Sequence, residues 1–87
     1  MKVEVLTIFK SLLSAQANEV ILPGEDGEIS VWDLHQPCLY SLRAGRIIVR
    51  DRGKAGQAQG PNGAKSVPIK KGIAIIGENK LTAMVEI

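Results

Sequence analysis

The sequence predicts an all-β domain, a flattened sandwich or barrel of about 8–10 short, mostly antiparallel strands. Two observations point there. Apolar residues, largely β-branched, recur at alternate positions, as in Lys2–Ile8, Val67–Ile69 and Leu81–Ile87. Turn-forming clusters then punctuate the chain at about ten-residue intervals. Composition says what such a domain is packed with. Hydrophobic residues make up 45 % of the 87 residues and aromatics only 3 %, so the core is built from Val, Ile, Leu and Ala. A chain this short buries somewhat above roughly 60 % of its unfolded surface, enough for one modest domain.

Taken in order, Lys2–Ile8 (KVEVLTI) reads as the first strand. Phe9–Ala17 (FKSLLSAQA) has some helical propensity but lacks an N-cap, and Leu12–Gln16 is assigned to a second, weak strand. Asn18–Leu22 is the third, ended by Pro23-Gly24, a strong turn pair. Gly24-Glu25-Asp26-Gly27 has hairpin chemistry, two glycines bracketing two acids, and Glu28–Val31 returns as a short strand. Trp32–Pro37 is expected to be a loop, because Asp33 and Gln36-Pro37 leave little room for regular pairing.

Leu39–Leu42 is strand-like, and Ala44-Gly45 turns into Arg46–Arg50, with Ile47 and Val49 on one face. Residues 51–66, polar and with four glycines, read as a long flexible hairpin loop. Beyond it Val67 and Ile69 share a face, which Ile73 and Ile75 are expected to continue. Gly77–Lys80 is a second hairpin turn, and Leu81, Ala83, Val85 and Ile87 alternate with polar neighbours and Met84.

Charge and cysteine usage limit the function classes. The single cysteine, Cys38, permits no internal disulfide and no cysteine-based zinc cage, and beside Pro37 it is expected to fill a core position. Cytosolic or cytosol-facing life fits this best. No apolar run approaches the roughly 18 residues of a membrane span, so direct membrane insertion is not expected. The net charge of +2 is uneven: residues 1–37 carry two lysines against six carboxylates, and residues 38–87 carry nine basic against three acidic side chains. Such polarity suits docking between partners of different charge, or simple complementation between strands.

The chemistry-bearing residues gather in Val20–Gly45, which holds the only His, Cys and Trp. His35 has no second His or Cys at ligand spacing, so no metal is expected, and no nucleophile stands ready for it to orient as a base. Neither a catalytic residue nor a cofactor site is predicted. Gly53-Lys54-Ala55-Gly56 lacks the spacing of a phosphate loop. The basic set Arg43, Arg46, Arg50, Arg52 and Lys54 invites a small β-barrel reading, a binding module for nucleic acid or carbohydrate. Single-strand binders stack bases on aromatics, however, and Phe9, Trp32 and Tyr40 do not interleave with these arginines in the sequence.

The same stretch resembles the amino-terminal β-sandwich domain of the epsilon subunit of F-type ATP synthases. Leu22-Pro23-Gly24-Glu25-Asp26-Gly27-Glu28 is similar to that family's G-x-x-G-E turn. Ile29-Ser30-Val31, His35-Gln36-Pro37, Leu39, Leu42 and Gly45 follow in register, then Ile69–Ile75 and the closing strand Leu81–Val85. Four positions depart from the pattern: Ser30 stands for a glycine, Asp33-Leu34 for Pro-Gly, and Ala44 for a proline.

The resemblance implies a non-catalytic rotor subunit that links the gamma subunit to the membrane c-ring and couples ion-driven rotation to ATP synthesis. Such a subunit is peripheral, on the cytoplasmic face of the bacterial inner membrane through the complex. It places Glu25, Asp26, Glu28, Trp32 and His35 on the c-ring side, with Glu28 the residue matching the family's contact carboxylate. Arg43, Arg46 and Arg50 become candidates for the gamma side. Family members continue into a helical carboxy-terminal domain; residues 1–87 are expected to be the sandwich domain alone, without an ATP site or a helical brake.

Overall fold

A computed structural model describes residues 1–32, 36–51 and 64–87. Among them are nine strands: β1 (Lys2–Leu6), β2 (Ser11–Gln16), β3 (Glu19–Gly24), β4 (Gly27–Trp32), β5 (Cys38–Leu42), β6 (Gly45–Arg50), β7 (Ala64–Ile69), β8 (Lys71–Gly77) and β9 (Lys80–Glu86). They form one path, β2-β1-β9-β8-β5-β3-β6-β7, with β4 added on β3. All pairs are antiparallel except β1 with β9.

The path folds into two layers because the link between them is slight. β5 meets β3 through the single register pair Gly24↔Leu42. One layer is therefore β2-β1-β9-β8-β5, and the other is β4-β3-β6-β7. Strand alternation sends Val3, Val5, Ala74, Ile76, Leu81, Ala83 and Val85 inward from the first. Val20, Leu22, Val31, Ile47, Val49 and Ile69 meet them from the second. The buried side chains are entirely aliphatic, Met1 included, and no polar side chain is buried among the described residues. This is the aromatic-poor core that the composition requires.

The two hairpin turns expected from the sequence form as two-residue loops. Gly24 pairs with Gly27 across Glu25-Asp26, and Gly77 with Lys80 across Glu78-Asn79. Positive φ falls on Gly27 (132°) and Asn79 (52°), residue types that tolerate it.

Six expectations need correction. Pro23-Gly24 does not end the third strand. β3 runs through both, since the Pro23 carbonyl still accepts from Arg43 N–H (2.8 Å) and only a donor is missing. Trp32 is not in a loop but is the last residue of β4, paired with Glu19. Ala64–Ser66 belongs to β7, paired with Arg50, Val49 and Ile48, so the hairpin loop is shorter than residues 51–66; residues 52–63 lie outside the described residues.

The fourth correction concerns Ile73 and Ile75, which do not continue the apolar face of Ile69. The chain turns a corner at Lys70, whose N–H reaches Glu86 O at 2.7 Å, and crosses from β6's layer to β9's. That extra residue resets the alternation. Ala74 and Ile76 are buried, while Ile73 and Ile75 are 45 % and 49 % exposed. Ile87, likewise expected inward, is exposed, and Cys38 is half-buried against the core rather than within it.

Candidate functional site

The acidic hairpin tip is held rigidly. Glu25 N–H donates to Ser41 O (3.0 Å) and Arg43 N–H to Pro23 O (2.8 Å), so the β3–β4 turn and the β5–β6 turn are locked side by side. Gly45 is needed at this junction, because a Cβ there would meet Pro23 Cβ at 2.7 Å. The turn carries Glu25, Asp26 and Glu28, all exposed. None of the three has a cation within salt-bridge reach among the described residues, whereas Glu4, Glu19 and Glu86 all do. A shallow depression of about 440 Å³ lies between this tip and Leu39, Tyr40 and Ser41 of β5.

The structure separates the other predicted residues. Trp32 sits five residues along β4 from Gly27, roughly 17 Å away at about 3.4 Å per residue. It therefore does not join the acidic tip; it stands in a row with Glu19 and Arg50 across β4-β3-β6. His35 lies outside the described residues. Arg43 belongs to the acidic end, while Arg46 and Arg50 face outward from β6.

That row bears on the nucleic-acid reading. Trp32 does neighbour an arginine in space, unlike in the sequence, but Glu19 stands between them. Its carboxylate takes the Arg50 guanidinium (3.6 Å) and the Ser30 hydroxyl, which donates at 2.6 Å. Arg46 donates to Ser66 Oγ (3.2 Å). Both arginines are thus engaged within the sheet, Arg50 by a carboxylate that would repel a phosphate. Ser30, where the resembling family has glycine, is accommodated because its side chain points to solvent and caps Glu19. The charge asymmetry is partly spent within the fold as well, since Lys80–Glu4 (3.1 Å) and Arg50–Glu19 join the two halves of the chain.

A second feature escaped sequence reasoning. The outer face of the first layer is apolar. Leu39 (61 % exposed), Ile75, Ile73 and Met84 (40 %) lie on adjacent strands, with Leu39 opposite Ile75 and Ile73 opposite Met84. The β1–β2 turn extends this surface. Thr7 Oγ1 accepts from Phe9 and Lys10 N–H (both 3.1 Å), and this closed turn holds Ile8 and Phe9 out at 81 % and 88 % exposure. A groove of about 370 Å³ runs from Ile8 past Met84 and Ile73 to Glu25, so the apolar face and the acidic tip are continuous. The missed signal was parity: Lys70-Lys71-Gly72 before Ile73 allows a corner, and a one-residue corner exchanges the faces.

Among the described residues no group of three or more His, Cys, Asp or Glu side chains is placed to hold a metal ion. Glu4 is held below the ordinary glutamate range, first by its hydrogen bond with Lys80 and then by that cation's charge. Tyr40 is pushed above the ordinary phenol value by its hydrogen bond with Cys38. The first effect arises between paired strands β1 and β9, the second within β5.

A two-layer sandwich whose acidic tip has no ion pair among the described residues, and whose outer face is apolar, has the surface chemistry of a protein-docking module. Comparison with known proteins gives its kind. Residues 1–87 match the family model of the ATP synthase delta/epsilon chain β-sandwich domain, and the chain belongs to that family. It is 32 % identical over 85 residues to the chloroplastic ATP synthase epsilon chain of Chlamydomonas reinhardtii, covering 97 % of this chain and 57 % of that one. It is 29 % identical over 83 residues to the ATP synthase epsilon chain of Paramagnetospirillum magneticum, covering 95 % and 56 %. The chain thus spans somewhat more than half the length of these relatives. In fold it is similar to a chain of the Tetrahymena thermophila mitochondrial ATP synthase central stalk/c-ring structure. The TM-score is 0.76 at 17 % identity, over 100 % of this chain and 63 % of that one.

Proposed function

We propose that the chain serves as a non-catalytic subunit of the central stalk in an F-type ATP synthase rotor. It holds the gamma subunit to the membrane c-ring so that ion-driven rotation reaches the catalytic head. It is peripheral, on the cytoplasmic face of the bacterial inner membrane, and attached through the complex. Family membership supports the general role. The observation that carries the detail is the groove joining two kinds of docking surface at one end of the sandwich.

The acidic tip is the ring side. Glu25, Asp26 and Glu28 are placed to accept charge-assisted hydrogen bonds from arginine or amide groups of a polar loop, and having no cation partner among the described residues they give up no ion pair there by docking. Trp32 stands apart from this tip at the far end of β4, so the ring side rests on the three carboxylates. For gamma, the geometry favours the apolar face of Leu39, Ile73, Ile75 and Met84, with Ile8 and Phe9 at its end. Arg46 and Arg50 are already held by Ser66 and Glu19, and Arg43 borders the tip.

Recovery of the protein from solubilised membranes tests the role: gamma and ring subunits should come with it, and recovery of no ATP synthase subunit overturns the proposal. Glu28→Ala should weaken coupling in reconstituted complexes, read as reduced ion pumping per ATP hydrolysed. Unchanged pumping would remove Glu28 from the ring contact.

A further inference from the structure

Among the described residues three strands have one neighbour each: β2, β4 and β7. Unpaired edges invite another strand, and proteins commonly protect them with charge or proline. β7 carries Lys65 and Pro68, and β4 carries Glu28. β2 (SLLSAQ) has neither.

The hydrogen-bond phase shows what that edge offers. Met1 and Ala17 exchange both bonds, Met1 N to Ala17 O and Ala17 N to Met1 O, each 2.8 Å. Antiparallel pairs alternate, so Ala15 and Leu13, opposite Val3 and Val5, also bond inward to β1. The N–H and C=O groups of Ser14 and Gln16 must then point away from the sheet. Both residues are exposed, and neither has a backbone partner on that side among the described residues. The register shift at Val5/Leu6 twists only the Ser11 end, leaving Leu13–Ala17 regular.

We infer that β2 is a self-association edge, pairing antiparallel with β2 of a second copy of this chain about a two-fold axis at Ala15. In that register Ser14 faces the second copy's Gln16, and Gln16 its Ser14. Every outward group described above is used, about four backbone bonds in all. A neutral strand opposes no like charges when paired with itself, which singles out a second copy over a charged partner strand. Leu13 and Ala15, both half-buried at the open rim of the core, would be covered. Burial this small gives a weak dimer, well below a standard interface. The inference is independent of the rotor reading, which it leaves intact.

Sedimentation equilibrium of the isolated chain, combined with amide exchange across a concentration series, tests it. Mass should rise toward the dimer as concentration increases, with exchange at Ser14 and Gln16 slowing in parallel. Ser14→Pro and Gln16→Pro each remove an outward donor while leaving the inward bonds, and edge strands accept proline. Each should raise the dimerisation midpoint at least tenfold with the thermal midpoint retained. Ile73→Lys, on the apolar face, should leave the dimer unchanged. A monomer at all concentrations, Ser14 and Gln16 amides indifferent to concentration, or a dimer lost in Ile73→Lys overturns the inference. If a proline variant unfolds, the exchange series on the unaltered chain decides alone.

Discussion

Two glycines show how differently one methyl group can act in this fold. Gly27 has φ of 132° with nothing within 4 Å of where a Cβ would stand, so Gly27→Ala meets only backbone strain, about 1–3 kcal/mol. Gly72 has ordinary dihedrals, but a Cβ there would stand 2.6 Å from the Met84 carbonyl oxygen and 2.9 Å from Val85 Cγ1. Gly72→Ala must push β8 from β9 and should cost about 3 kcal/mol. Urea unfolding of both variants gives the order, Gly72→Ala the less stable. Glu4 supplies a pH signature. Its folded pKa lies below the ordinary value because Lys80 bonds the carboxylate. The stabilisation is therefore complete above the unfolded glutamate pKa and is lost as pH falls through the lower, folded one. In Lys80→Met the Glu4 carboxyl resonance should titrate at a higher pH than in the parent chain, and acid unfolding should begin correspondingly earlier.

At the scale of the strand, parity is what matters. Ile73→Lys places a cation on the outer face and should leave stability within about 0.5 kcal/mol. Ala74→Lys, one residue on, forces a charge into a fully buried site and should abolish cooperative thermal unfolding. The same parity explains how far the fold was readable from the residues. Alternation placed Val3, Val5, Ile47, Val49, Leu81, Ala83 and Val85 inward correctly, because each lies within an uninterrupted strand. Ile73 and Ile75 failed because a corner at Lys70 is a tertiary event, set by which layer the chain must reach. Pro23 misled for a local reason: proline forbids donating, not accepting, and this strand position needs only its carbonyl. Of the candidate site, Glu25, Asp26 and Glu28 were legible as a turn. The apolar face was not, since Leu39, Ile73, Ile75 and Met84 are brought together only by pairing between strands distant in sequence.

For the molecule as a whole, one aliphatic cluster joins both layers, and no polar side chain is buried among the described residues. A domain of this length has roughly 4–13 kcal/mol to lose. Leu22 and Leu81, fully buried in opposite layers, should each cost about 2–5 kcal/mol as alanine. The double variant should show no cooperative melt in calorimetry, while each single variant melts at a lower temperature. The pairing of β1 with β9, parallel and with Val3 beside Leu81, joins two strands about 80 residues apart in sequence. During synthesis this has a cost in time. Until β9 emerges, β1 and β2 can form only a two-stranded hairpin, which is marginal in water. At about 5–20 residues per second the wait is roughly 4–16 s. Throughout it the nascent chain carries an open edge on β1 as well as β2, so the interval before β9 emerges is when this domain is most exposed to mispairing.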